Sequence, residues 1–358
     1  MKNIHRQFLE HLQYGEKIVL ATVIRTSGST PQKPGSSALF GEKGLIAGTV
    51  GGGILEGEVQ QIAQHVLISG ISDHYYFNLD ADQGEEGAIC GGAAEVLVDA
   101  NPDVSRVAME AMKVSHSRGG EGELLTVVGK DPVNGSTISR YWIEYGESPS
   151  KPAGLDPSLW QSVATLFPAA PGPGFREIDL PADTQPGIWS IFLESFKPLP
   201  RLVIAGAGHI GKALAHMASL LNFEITMIDD RKEFASRENI PDADHFIVAD
   251  IGSAMQELEP GQDTYVVIVT RGHNHDAEAL KPCIGSKAAY VGMIGSKHKV
   301  AIMKNQFIEQ GWATADQWAG IHTPIGIDIG SKSVQEIAIS IAAELVKTRS
   351  QIISEDAS

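Results

Sequence analysis

The segment GAGHIG sets Gly206, Gly208 and Gly211 directly after the apolar run RLVIA and directly before the helix-patterned HIGKALAHMASLL. A glycine triplet at this spacing between a strand and a helix is the dinucleotide fingerprint. It supplies a tight turn, close approach of a pyrophosphate, and close packing of helix on strand. Free N–H groups at the start of such a helix favour negative charge. From residue 201 onward, the near-continuous apolar runs FEITMIDD, HFIVAD, TYVVIVT and AAYVGMI alternate with helix-length segments. Apolar strands joined by helices specify a parallel sheet covered on both faces. Residues 201–358 are therefore expected to form a Rossmann-like, doubly wound domain. Asp229 ends the second strand, where an acid accepts from a ribose hydroxyl, which favours an NAD-like ribose over a 2′-phosphate. Asp230 is adjacent, and spacing does not decide which carboxylate turns inward. Ser333 and Glu336 form a capping box that opens a further helix.

Residues 1–196 follow another pattern. An opening helix is followed by the strand EKIVLATVIRT, the breaker-rich loop SGSTPQKPGSS, a hairpin around Gly41–Gly44, and a helix opened by Gly51, Gly52 and Gly53. Further strands at HYYFNL, AAEVLVDA, ELLTVVG, TISRYWIEY and GIWSIFLESF, with helical segments near 103–116 and at PSLWQSVATLF, make this half a mixed α/β domain. The Pro-flanked KPLP at 197–200 marks the expected boundary. Two domains suit 358 residues. A net charge of −16 without a basic, aromatic-laced cluster argues against a nucleic-acid partner. With no apolar run long enough to span a bilayer, no secretory signal and two distant cysteines, the expectation is a cytoplasmic protein with free thiols and no membrane partner.

The motifs SGSTPQKPGSS, GTVGGGILEGEV and CGG in the first half, then GAGHIGKALA, TRGHNHD, YVGMIGSKHK and HTPIGIDIGSKSVQEIAISIAAEL in the second, occur together and in order. In these the chain resembles the XdhC/CoxI family, accessory factors that mature xanthine dehydrogenase and related molybdenum hydroxylases. The resemblance implies a maturation chaperone, with no catalytic residue of its own. Such a protein binds molybdenum cofactor (molybdopterin), holds it while a cysteine desulfurase exchanges a terminal oxo ligand for sulfide, and passes it to the apo-hydroxylase. The implied partners are apo xanthine dehydrogenase or a related hydroxylase and a cysteine desulfurase; a homodimer is expected from base rates.

A molybdopterin carrier needs N–H donors for a phosphate and a soft ligand near the metal. In the first half, Gly51, Gly52, Gly53, Ser29 and Ser36, with Arg25 and Lys33 nearby, form the candidate phosphate cradle. Cys90, between Gly87 and the Gly91–Gly92 pair, is the candidate molybdenum contact. In the second half, Gly206, Gly208, Gly211 and Asp229 make a nucleotide site, to which Arg271 and His273 of TRGHNHD and Ser296 and Lys297 of GSKHK would add ligand contacts. His273, His275 and Asp276 leave a metal site open, without an evident further ligand. Cys283 is expected to be structural. Two rival readings remain. One is an NAD-dependent oxidoreductase and the other a nucleotide-sensing regulatory protein, so the Rossmann site would hold NAD(P), another nucleotide or the pterin itself.

Overall fold

The computed structural model describes residues 4–79, 92–131, 135–146, 150–164, 167, 174–178 and 187–356. It divides into two compact units, Lys2–Pro198 and Leu199–Ser358 (the latter with Met1).

In the first unit, α1 (Ile4–Gln13) leads into β1 (Val19–Gly28), the hairpin β2 (Ser37–Gly41) and β3 (Gly44–Gly48), and α2 (Gly53–Ser69). β4 (Asp73–Asn78), β5 (Gly92–Asp99) and α3 (Arg106–Ser117) follow, then β6 (Gly122–Asp131), β7 (Gly135–Glu144), α4 (Pro157–Val163), β8 (Phe175–Ile178) and β9 (Ile188–Phe196). The strands form two antiparallel sheets, ordered β3-β2-β1-β5-β4 and β7-β6-β9-β8.

Alternation along β1 explains its central place. Val19, Ala21 and Val23 pack with Leu55, Val59, Ala63 and Val66 of α2, while Leu20 faces Phe8 and Leu12 of α1, Met109 of α3, and Leu124 and Trp142 of the second sheet. Ile24 joins Leu97, Val128 and Phe192 between the sheets. The far face of the second sheet, through Leu125, Ile143, Ile191 and Leu193, covers Leu159 and Val163 of α4. Each such aliphatic side chain buried contributes about 1.5–3 kcal/mol. Between the sheets lies a small cavity of about 10 Å³, lined by His5, Thr22, Ser37, Thr126, Arg140 and Glu194 among others.

The second unit runs β10 (Arg201–Ala205), α5 (His209–Leu220), β11 (Glu224–Asp229), β12 (His245–Val248), α6 (Ile251–Glu257), β13 (Thr264–Ile268), α7 (His273–Leu280), β14 (Tyr290–Met293), α8 (Lys297–Glu309), α9 (Ala315–Ala319) and α10 (Val334–Asp356). Its sheet is parallel throughout, ordered β12-β11-β10-β13-β14. Leu202, Ile204, Ile225 and Met227 meet Leu214 and Ala218 of α5 and Ile341 and Leu345 of α10 on one face. Val203, Ala205, Ile228 and Val266 meet Met255 of α6, Leu280 of α7 and Met303 and Phe307 of α8 on the other. The sheet is thus doubly wound, as the alternating pattern predicts.

One connection departs from that pattern: residues 230–244, between β11 and β12, form turns instead of a helix. The chain there carries an Asn and a Pro close together, RENIPDAD, and a proline removes a donor and clashes with a preceding helical turn. The capping box is present, Glu336 Oε2 accepting from Ser333 N at 2.8 Å and Ser333 Oγ from Glu336 N at 3.3 Å. Among the described residues, no helix is long and apolar enough to cross a membrane.

Candidate functional site

The three glycines of GAGHIG meet three different physical demands. Gly206 has φ 113°, and a Cβ there would stand 2.5 Å from the Val269 carbonyl oxygen, so only glycine lets the loop turn against the end of β13. At Gly211 a Cβ would lie 2.0 Å from the Gly206 oxygen, which is the close seating of α5 on β10. Gly208, at the N-cap of α5, has nothing within 4 Å of where its Cβ would stand. That open side, at the start of a helix with no side-chain cap, leaves room and free N–H groups for an anionic group. In chain order the five strands lie 3-2-1-4-5, so the loop after the central strand sits at the switch point where such sheets bind ligands.

Asp229 is 1% exposed and turns inward. Its Oδ2 accepts from Ala207 N at 2.8 Å and Arg231 Nη2 at 2.9 Å, and its Oδ1 from Arg231 N at 3.0 Å and Nε at 2.8 Å. Burial alone would push this carboxyl up, but the bonds from Arg231 and from the two backbone N–H groups outweigh it and hold the carboxyl at about 2. Asp230 turns outward and accepts from Arg271 Nη2 at 2.6 Å. Arg231 also lies over the Phe234 ring, 3.7 Å from its centroid.

The loop TRGHNHD opens α7. Asp276 is fully buried, and its oxygens take the Thr270 hydroxyl and Lys299 Nζ, each at 2.5 Å. It therefore ties the loop after β13 to the first turn of α8 and is committed away from a metal. His275 Nδ1 stands 3.6 Å from Glu278; the side chain of His273 lies outside the described ones. Ser296 caps α8, its Oγ accepting from Lys299 N at 3.2 Å, and Lys297 is exposed. The lysine held at this edge is thus Lys299, one helical position that spacing did not single out. Among the described residues no group of three His, Cys, Asp or Glu is placed to hold a metal ion.

In the first unit, Gly51, Gly52 and Gly53 all have positive φ (147°, 68° and 55°) and lead into α2, which has no side-chain cap. Nothing lies within 4 Å of where a Cβ of Gly52 or Gly53 would stand. Glu56 in the first turn accepts from the Thr49 hydroxyl at 2.6 Å and Val50 N at 3.3 Å and holds the turn in place. Ser29 and Lys33 are exposed. Ser36 donates to Gln32 Oε1 at 3.0 Å, which uses its hydroxyl within the loop.

Arg25 is not free to serve a ligand. Its guanidinium donates to Glu95 at 2.7 Å, to both oxygens of Glu177 and to Ser190 at 2.7 Å, a set of partners up to 165 residues away that the local sequence does not reveal. The Glu177 carboxyl is correspondingly held below the usual range by Arg25. Cys90 lies outside the described residues. Two positions on, Gly92 begins β5, and a Cβ there would meet Ser27 O at 2.5 Å and Ser29 O at 2.6 Å. Cys283 is 2% exposed in the core beside α7, and burial pushes its thiol up to about 12, which fits the structural role expected of it.

Residues 202–345 match the XdhC Rossmann domain, and residues 11–77 match the XdhC and CoxI family. The chain belongs to the XdhC and CoxI family. Among its relatives is a protein of Bacillus subtilis (strain 168) described as a probable xanthine dehydrogenase subunit, 26% identical over 98% of this chain and 99% of that protein. The uncharacterized protein YqeB of Escherichia coli (strain K12) is 36% identical over 46% of this chain, a match that spans only 30% of YqeB. A crystal structure from Bacillus halodurans described as a xanthine dehydrogenase shares the fold, with TM-score 0.71 and 22% identity over 98% of this chain and 96% of that one. Within this family member the glycine loop, the Asp229–Arg231 pair and the Asp230–Arg271 pair form one candidate site at the carboxyl edge of the parallel sheet.

Proposed function

We propose that this protein is an accessory factor for xanthine dehydrogenase or a related molybdenum hydroxylase. It holds molybdenum cofactor, keeps it while a cysteine desulfurase exchanges a terminal oxo ligand for sulfide, and delivers it to the apo-enzyme. The observation that carries this reading is that family matches in both halves accompany near full-length similarity to a probable xanthine dehydrogenase subunit.

The first unit fits the cofactor's phosphate in kind. An uncapped helix start behind three glycines of positive φ, open space beside Gly52 and Gly53, and the exposed Ser29 and Lys33 would serve as donors. Arg25 is spent elsewhere and Glu56 brings negative charge to the turn, so Lys33 is the cation proposed for that end of the ligand. Cys90 is the proposed soft ligand for molybdenum. The second unit is proposed to bind a phosphate-bearing nucleotide on Gly206–Gly208, a reading supported by the open side of Gly208.

Metal and pterin analysis of the full chain purified from a cofactor-producing host tests the proposal. Molybdenum and pterin should co-purify with the wild-type protein and with Cys283→Ala, and be lost from Cys90→Ala. Wild-type protein free of both would overturn it, and substrate-dependent oxidation of NADH by that same protein would favour an oxidoreductase instead.

A further inference from the structure

We propose that Asp230, not Asp229, is the carboxylate that receives the ribose of a bound nucleotide, and that Arg271 passes from Asp230 to a phosphate oxygen of the same ligand. This rests on reading the second unit as a nucleotide-binding domain and names the specificity-determining pair of that site.

Asp229 has no capacity left. Both of its oxygens accept two bonds each, the group is buried, and turning it toward a ligand would leave the Arg231 guanidinium and the Ala207 N–H without their partner. Asp230 differs on each count. Its side chain is 36% exposed, Oδ2 takes one bond from Arg271, and the cation nearest Oδ1 among the ion pairs is Arg231 Nε at 3.8 Å, beyond hydrogen-bond reach. A carboxylate so placed can accept both hydroxyls of a ribose, because its present tie is a surface pair and such pairs are weak.

Topology puts the pair in the ligand's way. Asp230 follows β11 and Arg271 follows β13, and β10, which carries the glycine loop, lies between those two strands. The Asp230–Arg271 bond therefore reaches across the end of β10. A nucleotide seated on that loop meets both members of the bond and divides them according to charge, its hydroxyls going to Asp230 and its phosphate to Arg271. Arg271 is 53% exposed and spends one N–H on Asp230, so its other N–H groups suit a phosphate. A 2′-phosphate would instead meet Asp230 with like charge and be disfavoured.

Calorimetric titration of the full chain with ADP, 2′-deoxy-ADP and adenosine 2′,5′-bisphosphate tests this. Wild type should bind ADP roughly tenfold more tightly than either analogue, the worth of hydrogen bonds to a charged acceptor. Asp230→Asn should lower ADP affinity markedly, lower that of 2′-deoxy-ADP less, since only the 3′-hydroxyl contact is lost there, and so narrow the gaps both to 2′-deoxy-ADP and to the 2′-phosphate. Arg271→Ala should weaken ADP and 2′-deoxy-ADP alike. A ribose preference that survives Asp230→Asn, or one abolished by a fully stable Asp229→Asn protein, would overturn the assignment. Wild-type protein that binds none of the three probes would refute the nucleotide reading itself, a result distinct from binding without ribose preference.

Discussion

Glu194→Gln isolates one half-buried carboxyl and makes its effect on stability measurable. Glu194 lies on β9 opposite Leu124 of β6 and lines the small cavity between the two sheets of the first unit, a space sufficient for one water. Burial pushes its carboxyl up from 4.5 to about 8, and the field of Arg140 opposes this only in part, since Arg140 is itself tied to Asp99 and Ser105. His5 faces the same cavity, and burial, followed by Arg140 and His116, lowers it to about 3, so it stays neutral across the range that matters. In the unfolded chain the carboxyl ionises near 4.5, whereas in the folded chain it keeps its proton until about 8. Glu194 therefore contributes its full stability below pH 4.5 and loses it as pH rises toward 8. At about 1.4 kcal/mol per pH unit, the loss over this interval reaches a ceiling of about 4–5 kcal/mol. Glutamine copies the shape of the protonated acid and does not titrate. Urea denaturation of the full chain at a series of pH values should show variant and wild type nearly equal at pH 4.5, with the variant increasingly more stable up to pH 8. A difference between the two that does not change with pH from 5 to 8 would refute the reasoning.

Asp229→Asn should destabilise the second unit by about 1–3 kcal/mol at neutral pH, the worth of hydrogen bonds to a charged acceptor from Arg231 and the Ala207 N–H, read as a fall in its thermal midpoint. Because its folded carboxyl sits at about 2 against an ordinary 3.8, the wild-type advantage should disappear as pH falls from 3.8 toward 2. Gly211→Ala sets a methyl 2.0 Å from the Gly206 oxygen and should lower stability and displace α5, visible as lost amide protection in that helix. Gly208→Val, placed in open space, should keep the melting temperature and lose affinity for ADP by calorimetry. Arg25→Ala should cost about 1–3 kcal/mol by urea denaturation, since it frees Glu95 and Glu177 from their shared partner.

The second unit was the more legible half because its signals are local. Strands of continuous apolar residues, glycines at fixed offsets and the Ser333–Glu336 cap are all written within a few positions of the features they produce. Long-range partners are not written in that way. Nothing adjacent to Arg25 announces Glu177, and nothing near Asp229 tells it apart from Asp230 until the inward turn of one and the outward turn of the other are set by the pleat of β11. Lys299 is hidden in the sequence for a related reason: it is the buried Asp276, two elements earlier, that selects it over Lys297. The strand orders of the two antiparallel sheets, with β1 between β2 and β5, likewise depend on pairings that cross long stretches of chain.

The tight contact at Gly92 bears on genetics. Its missing side chain is what lets the start of β5 lie against the backbone of Ser27 and Ser29, so any replacement, even alanine, must push those two segments apart. A screen for loss of function across Cys90, Gly91 and Gly92 would thus score position 92 for a steric reason unconnected with sulfur. Only alleles that change Cys90 alone can speak to the thiol.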